Sequence, residues 1–325
     1  MLISTRTDMA IKMKLLIEQT IFWQYKKPRK EAETRMMALT FVIYAVALAA
    51  AVPLRIWQYM TVIDPVTGFY NDSHISIWLL AVVVIVAVAL ILLSVSMKKQ
   101  YLDQPLKYGT VGLGLCYCAM GLVIIIIYLI QVQSKYPAAG ILGMELSDIV
   151  GLSCGLAFLV LAILFALRKT SNTLMYLMMV VPILWSITML WRTFIGYQTI
   201  LNISEHLFEI LSYIFITLFF LSSAYVVSGF GKKNHQKKMV IFGLTGSLFS
   251  ITNAMGKIYI QMQEVQSAVP VIVEMSYLLD IVVGILMAVS CVYICFGADR
   301  ALPGEVYAEL YENQDSEGDL QNDGE

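Results

Sequence analysis

The sequence predicts an all-α, polytopic membrane bundle of eight transmembrane helices with both termini in the cytoplasm. Three observations carry that prediction. Eight apolar runs reach the roughly 20 residues that a helix needs to cross the hydrocarbon core. The chain is 59% hydrophobic and only 14% charged, whereas a soluble domain carries about 25% charged residues; mean hydropathy is +0.74. Finally, the loops between the runs alternate between rich and poor in Lys and Arg.

Residues 1–36 form a basic segment with Arg6, Lys12, Lys14, Lys26, Lys27, Arg29, Lys30 and Arg35. Lys12, Lys14 and Glu18 interrupt every stretch long enough for the apolar region of a cleavable signal, so the first span is expected to target the chain. Within 8–24, Met9, Met13, Leu16 and Ile17 share one helical face ahead of a KKPRK cluster. This segment reads either as an interfacial helix against anionic headgroups or as an ordinary basic flank.

The spans follow at 37–57, 76–96, 108–132, 147–167, 173–194, 206–228, 239–259 and 270–296. Lipid offers no partner to a bare peptide group, so each must close its backbone hydrogen bonds as a helix. Eighteen of the 22 Lys and Arg residues fall before span 1, in the 2/3, 4/5 and 6/7 loops, or after span 8. Only Arg55, Lys135, Arg192 and Lys257 fall on the other side, which makes the first set cytoplasmic. An odd number of spans would break the alternation. Residues 37–298 form the membrane domain, and 299–325 an acidic tail of nine carboxylates and Arg300. Its composition cannot bury enough apolar surface to order itself. The cell membrane is the expected location.

Spans 3 and 4 carry small residues, Gly112, Gly114, Cys116, Cys118 and Gly121 on one, Ser147, Gly151 and Gly155 on the other. Such residues let helix backbones approach closely in lipid. The five cysteines all lie in apolar runs without zinc-like spacing, so neither disulfide nor metal centre is expected. Weak echoes relate spans 1–4 to 5–8, as between LRIWQYM at the end of span 1 and LWRTFIGYQ near the end of span 5. Parallel repeats would produce such a pattern, and chance resemblance between apolar helices would as well.

Polar groups inside spans single out candidate sites, because a charge at the centre of a span costs about 2.5–3.5 kcal/mol on insertion scales. In span 7, Gly246, Ser250, Asn253 and Lys257 recur at helical spacing along one stripe. In span 8, Ser276, Asp280, Gly284 and Ala288 are four apart, with Tyr277 alongside. A start at residue 270 puts Asp280 ten residues in, about 15 Å deep and near the midplane. Arg55, Arg192, Glu205, Glu209 and Glu274 lie near span ends, from which charges are expected to snorkel to water. His74 and His235 are expected in solvated loops. The loop after span 1, with Asp64 and Asp72, reads as an ordinary connector or as a cap over the polar seam.

Span 4 also contains GLSCG, a match to the G-x-S-x-G nucleophile pattern. With Ser153 near the outer start of a fourth span and His206 on a sixth, this resembles the rhomboid intramembrane proteases and implies a remote serine-protease alternative. The glycine-bearing motif that follows the rhomboid histidine is replaced by Leu207, Phe208 and Glu209. No nucleotide, zinc-protease or calcium motif is present, and no cofactor or nucleic-acid partner is expected. The leading expectation is permeation of a small ion or solute along spans 7 and 8, with Asp280 central and Lys257, Asn253, Ser250, Ser276 and Tyr277 around it. A non-transporting sensor or assembly subunit, acting through its termini on a cytoplasmic protein, is the alternative. The bilayer is the partner in either case, and both are compatible with a homo-oligomer.

Overall fold

The structure, a computed structural model, describes residues 35–61, 73–96, 111–135, 145–167, 172–197, 203–228, 235–265 and 276–297. The basic amino-terminal segment, the loop carrying Asp64 and Asp72, the other loops between helices and the acidic tail lie outside the described residues. Each apolar run corresponds to one helix: α1 Arg35–Thr61, α2 Ser73–Ser96, α3 Val111–Lys135, α4 Leu146–Ala166, α5 Asn172–Tyr197, α6 Ile203–Ser228, α7 His235–Val265 and α8 Ser276–Val292. A π-helical turn, Tyr293–Gly297, continues α8. No strand occurs among the described residues.

Seven of these helices are long and apolar enough to cross a membrane; α2 contributes a shorter apolar stretch, Ile77–Leu93. Large apolar side chains stand exposed all around the bundle, among them Trp78 at 72% and Leu146 at 73%. Polar ones, including Arg55, Asp148, Asn253 and Asp280, are buried inside. A water-soluble fold would reverse this distribution, since a continuous apolar exterior needs an apolar solvent. The chain is built as a multi-pass integral membrane protein.

Sequential helices pack on one another from α3 to α8, and α7 also meets α2 while α3 meets α8. Helix α1 is joined to α7 by the Tyr44 Oη to Ser247 Oγ hydrogen bond, 2.6 Å. Phe41, near the start of α1, lies against Phe296 in the turn that ends α8, ring centroids 5.5 Å apart. Those two helix ends are therefore side by side. At the opposite end of the bundle, the carboxyl-terminal parts of α1 and α7 meet the amino-terminal parts of α6 and α8. It is there that the polar side chains gather.

The small residues of α3 and α4 do what lipid-phase packing asks of them. A Cβ on Gly121 would come 2.8 Å from the carbonyl oxygen of Gly155, and one on Gly155 would come 3.1 Å from that of Gly121. The two backbones touch without side chains between them. One turn away, the ring of Tyr128 fills the space over Gly151, where an added Cβ would lie 2.1 Å from its Cζ. Tyr128 is held there by Trp185, whose Nε1 donates to its hydroxyl at 2.8 Å.

One expectation is corrected, the placement of the two histidines. His74 lies within α2, and His235 opens α7 half-buried, its ring 4.5 Å from that of Tyr225, so neither occupies a loop. The described part of α8 begins at Ser276, one turn before Asp280; the expected start at 270 lies outside the described residues. The span 1 and span 5 echo does not extend to environment: Arg55 is wholly buried, and its counterpart Arg192 is exposed.

Candidate functional site: a polar layer around α7

Helix α7 can be the least apolar of the spanning helices because protein, not lipid, surrounds it. Across its central stretch 89% of the residues are buried, against 22% for α1. Four of its polar residues, Ser247, Ser250, Asn253 and Lys257, spread over about a third of the circumference at 3.6 residues per turn, and each reaches a different neighbour; the buried hydroxyls of Thr245 and Thr252 lie on another side and have no hydrogen-bond partner among the described residues. Ser247 bonds Tyr44 on α1, and Ser250 Oγ donates to the backbone carbonyl of Asp280 on α8 at 2.7 Å. Asn253 Oδ1 accepts from Arg55 Nη2 on α1 at 3.5 Å. Lys257 Nζ donates to Glu209 Oε2 on α6 at 2.6 Å. The predicted stripe is thus a fan, and the expected seam between α7 and α8 widens into a layer shared with α1 and α6. Gly246, also on that stripe, packs against Phe215 and Met287.

Asp280 is 5% exposed and points into the bundle. Its Oδ1 accepts a hydrogen bond from Tyr213 Oη at 2.9 Å, and among the described residues no donor meets Oδ2. Tyr213 stands ten residues into α6, about 15 Å along that helix. Ser250 is halfway along α7. The carboxyl is deep in the bundle by its neighbours even though α8, as described, begins only four residues before it. The Lys257–Glu209 pair joins α7 to α6, the helix that also carries Tyr213.

That pair is 13% and 19% exposed. Glu209 Oε1 also accepts from Thr193 on α5 at 3.3 Å, and Lys257 Nζ lies 4.8 Å above the Tyr277 ring. Of the predicted site residues, Asp280, Lys257, Tyr277 and Ser250 therefore converge through α6, α7 and α8. Asn253 turns instead to Arg55. Ser276 opens α8, with its side chain outside the described ones, as are those of Glu205, His206 and Glu274.

Two residues were not expected here. Tyr213 was missed, yet Glu209, Tyr213 and Thr217 recur every four residues on α6, which is the signal that would have found it. Arg55 was expected to snorkel to water, but it is 0% exposed. Helix α1 runs on to Thr61, four residues past the predicted span end, and the rings of Tyr59 and Phe208 cover the guanidinium with centroids 4.7 and 4.6 Å away. Its Nη1 donates to Gln58 Oε1 at 2.5 Å and its Nη2 to Tyr59 Oη at 3.1 Å.

A second buried acid lies apart from this layer. Asp148, in the first turn of α4, is 0% exposed, and among the described residues neither carboxyl oxygen has a hydrogen-bond partner. Ser153, the serine of the GLSCG stretch, lies mid-helix on an exposed face and donates to the Ile149 carbonyl at 2.8 Å. No strand-to-helix turn exists there to raise it as a nucleophile. All five cysteines are free thiols, and among the described residues no three His, Cys, Asp or Glu side chains are placed to share a metal ion. Comparison with protein-family models, with curated proteins and with solved structures finds no match.

Proposed function

We propose that this chain crosses the cell membrane eight times and moves a small ion or solute through the polar layer around α7, with Asp280 exchanging a proton or binding a cation. The observation that carries this reading is the half-satisfied carboxyl of Asp280. An ionised carboxylate has about four acceptor sites. Asp280 takes one bond, from Tyr213, and retains the capacity to hold a proton or a cation. Around it Lys257, Tyr277 and Ser250 supply the approach, with Glu209 and Tyr213 added by the fold. An ionisable group kept inside a spanning helix, with named neighbours that bias its charge state, is the usual mark of an ion or proton pathway.

The orientation with both termini in the cytoplasm is supported by the Lys and Arg distribution. The contact between Phe41 and Phe296, which puts the start of α1 beside the end of α8, agrees with an even number of crossings. The polar layer then opens toward the outer half of the bilayer.

Reconstitution tests this directly. Proteoliposomes of the full-length protein, followed with a pH-sensitive dye and with isotopic sodium and chloride, are expected to show flux above empty vesicles. Asp280→Asn is expected to reduce that flux at least tenfold while eluting as a folded particle. Unchanged flux in this variant would remove Asp280 from the pathway.

A further inference from the structure

An arginine cannot do what an aspartate can in a dry site. A carboxyl can take up a proton and lose its charge, but a guanidinium keeps its charge at every pH a protein meets. Arg55 is wholly buried, and its three acceptors, Gln58, Tyr59 and Asn253, are all neutral. The other cation of the layer, Lys257, has Glu209 as its counter-charge. None of the described carboxylates stands within ion-pair distance of Arg55.

The guanidinium also lacks an acceptor. Its Nε is buried and has no hydrogen-bond partner among the described residues. With neither a negative charge nor an Nε acceptor supplied by the described residues, one group answers both, an anion beside Nε. The walls limit its size, since Tyr59 and Phe208 lie over the guanidinium. Below them, the absent Cβ of Gly256 is replaced by Tyr59, whose Cε2 would be 2.2 Å from it, and by the stem of Arg55 at 3.0 Å. One uncompensated positive charge asks for one negative charge.

We propose that Arg55 is the centre of a binding site for a small monovalent anion, a halide or a short carboxylate, taken from solution. With no solvent contact at the arginine, the geometry is that of a closed site, which an anion reaches when Phe208 or Tyr59 swings aside. Binding stands independently of transport. That the same anion is the species moved, accompanied by the proton or cation on Asp280, rests on the function proposed above.

The test is thermal unfolding of the purified full-length protein in detergent, titrated with sodium chloride, nitrate or acetate against bulky sodium gluconate at equal ionic strength. A saturable rise in Tm is expected with at least one small anion and not with gluconate. Arg55→Gln is expected to lose that rise and, in gluconate, to melt no lower than the wild type, because it no longer buries an unmatched charge. The absence of any small-anion effect on the wild type, or its persistence in Arg55→Gln, would overturn the proposal. Should the glutamine variant fail to fold, Arg55→Lys keeps the charge without the planar fork, and its anion midpoint is expected to weaken at least tenfold. An equal midpoint would overturn the proposal. Anion binding without flux would support this site and count against the transport reading.

Discussion

Two regions of the bundle bury carboxylic acids by opposite means. Around α7, several polar groups pair across helices, Asp280 with Tyr213, Lys257 with Glu209, Ser247 with Tyr44, although Arg55 Nε and the hydroxyls of Thr245 and Thr252 have no partner among the described residues. Where α3, α4 and α5 meet, order comes from shape. Glycine backbones touch, Tyr128 fills the space over Gly151, and the Asp148 carboxyl has no hydrogen-bond partner among the described residues. The contrast shows that burial alone does not mark a site. What distinguishes the α7 layer is that several helices each commit a polar side chain to it, at distances where removing one group leaves another exposed to an apolar medium.

The comparison can be broken from either side. The largest effect on stability is expected at the ion pair, where Lys257→Met leaves Glu209 uncompensated. Breaking a buried pair costs about 3–5 kcal/mol, and the partial exposure of these side chains puts the loss near the lower figure, about 3 kcal/mol. Adding Glu209→Leu to the same chain should recover most of it. Thermal melts of the single and double variants would show this, and an additive double variant would mean that the two charges are not coupled.

In the shape-held region, Gly155→Val should cost about 2 kcal/mol through overpacking. The groups in its way are the Ile125 side chain, 2.5 Å from the added Cβ, and the Gly121 carbonyl. A valine tolerated there without a fall in Tm would show that α3 and α4 do not need backbone contact. The smallest effect belongs to Asp148. Asp148→Leu removes no hydrogen bond, so it should be neutral or raise the Tm slightly, since replacing unmatched buried polarity with apolar volume is often stabilising. A marked loss would mean that Asp148 has a partner in the working protein.

Much of the fold was legible because run length alone reports a long apolar helix: every apolar run became a helix, seven of them long and apolar enough to cross a membrane, with ends displaced by a few residues. Part of the site was legible for a similar reason. The spacing of Ser250, Asn253 and Lys257 requires a shared stripe, and a stripe of that polarity requires protein around it. What spacing does not carry is which helices become neighbours. The pairing of Glu209 with Lys257, the hydroxyl of Tyr213 on Asp280 and the cover of Tyr59 and Phe208 over Arg55 all depend on it. Arg55 shows the consequence most clearly. Its place near the predicted end of span 1 pointed to water, but the helix continues past it and α6 and α7 close over its head group.

The most direct test of this account places the two buried acids in one experiment. Flux into proteoliposomes would be measured for Asp280→Asn and Asp148→Asn at equal, verified amounts of folded protein. If the layer around α7 is the pathway, only the first variant loses flux, by tenfold or more, and the second runs at the wild-type rate. Equal behaviour of the two, whether both active or both silent, would contradict it and leave the matched groups around α7 as a scaffold that holds the bundle in register.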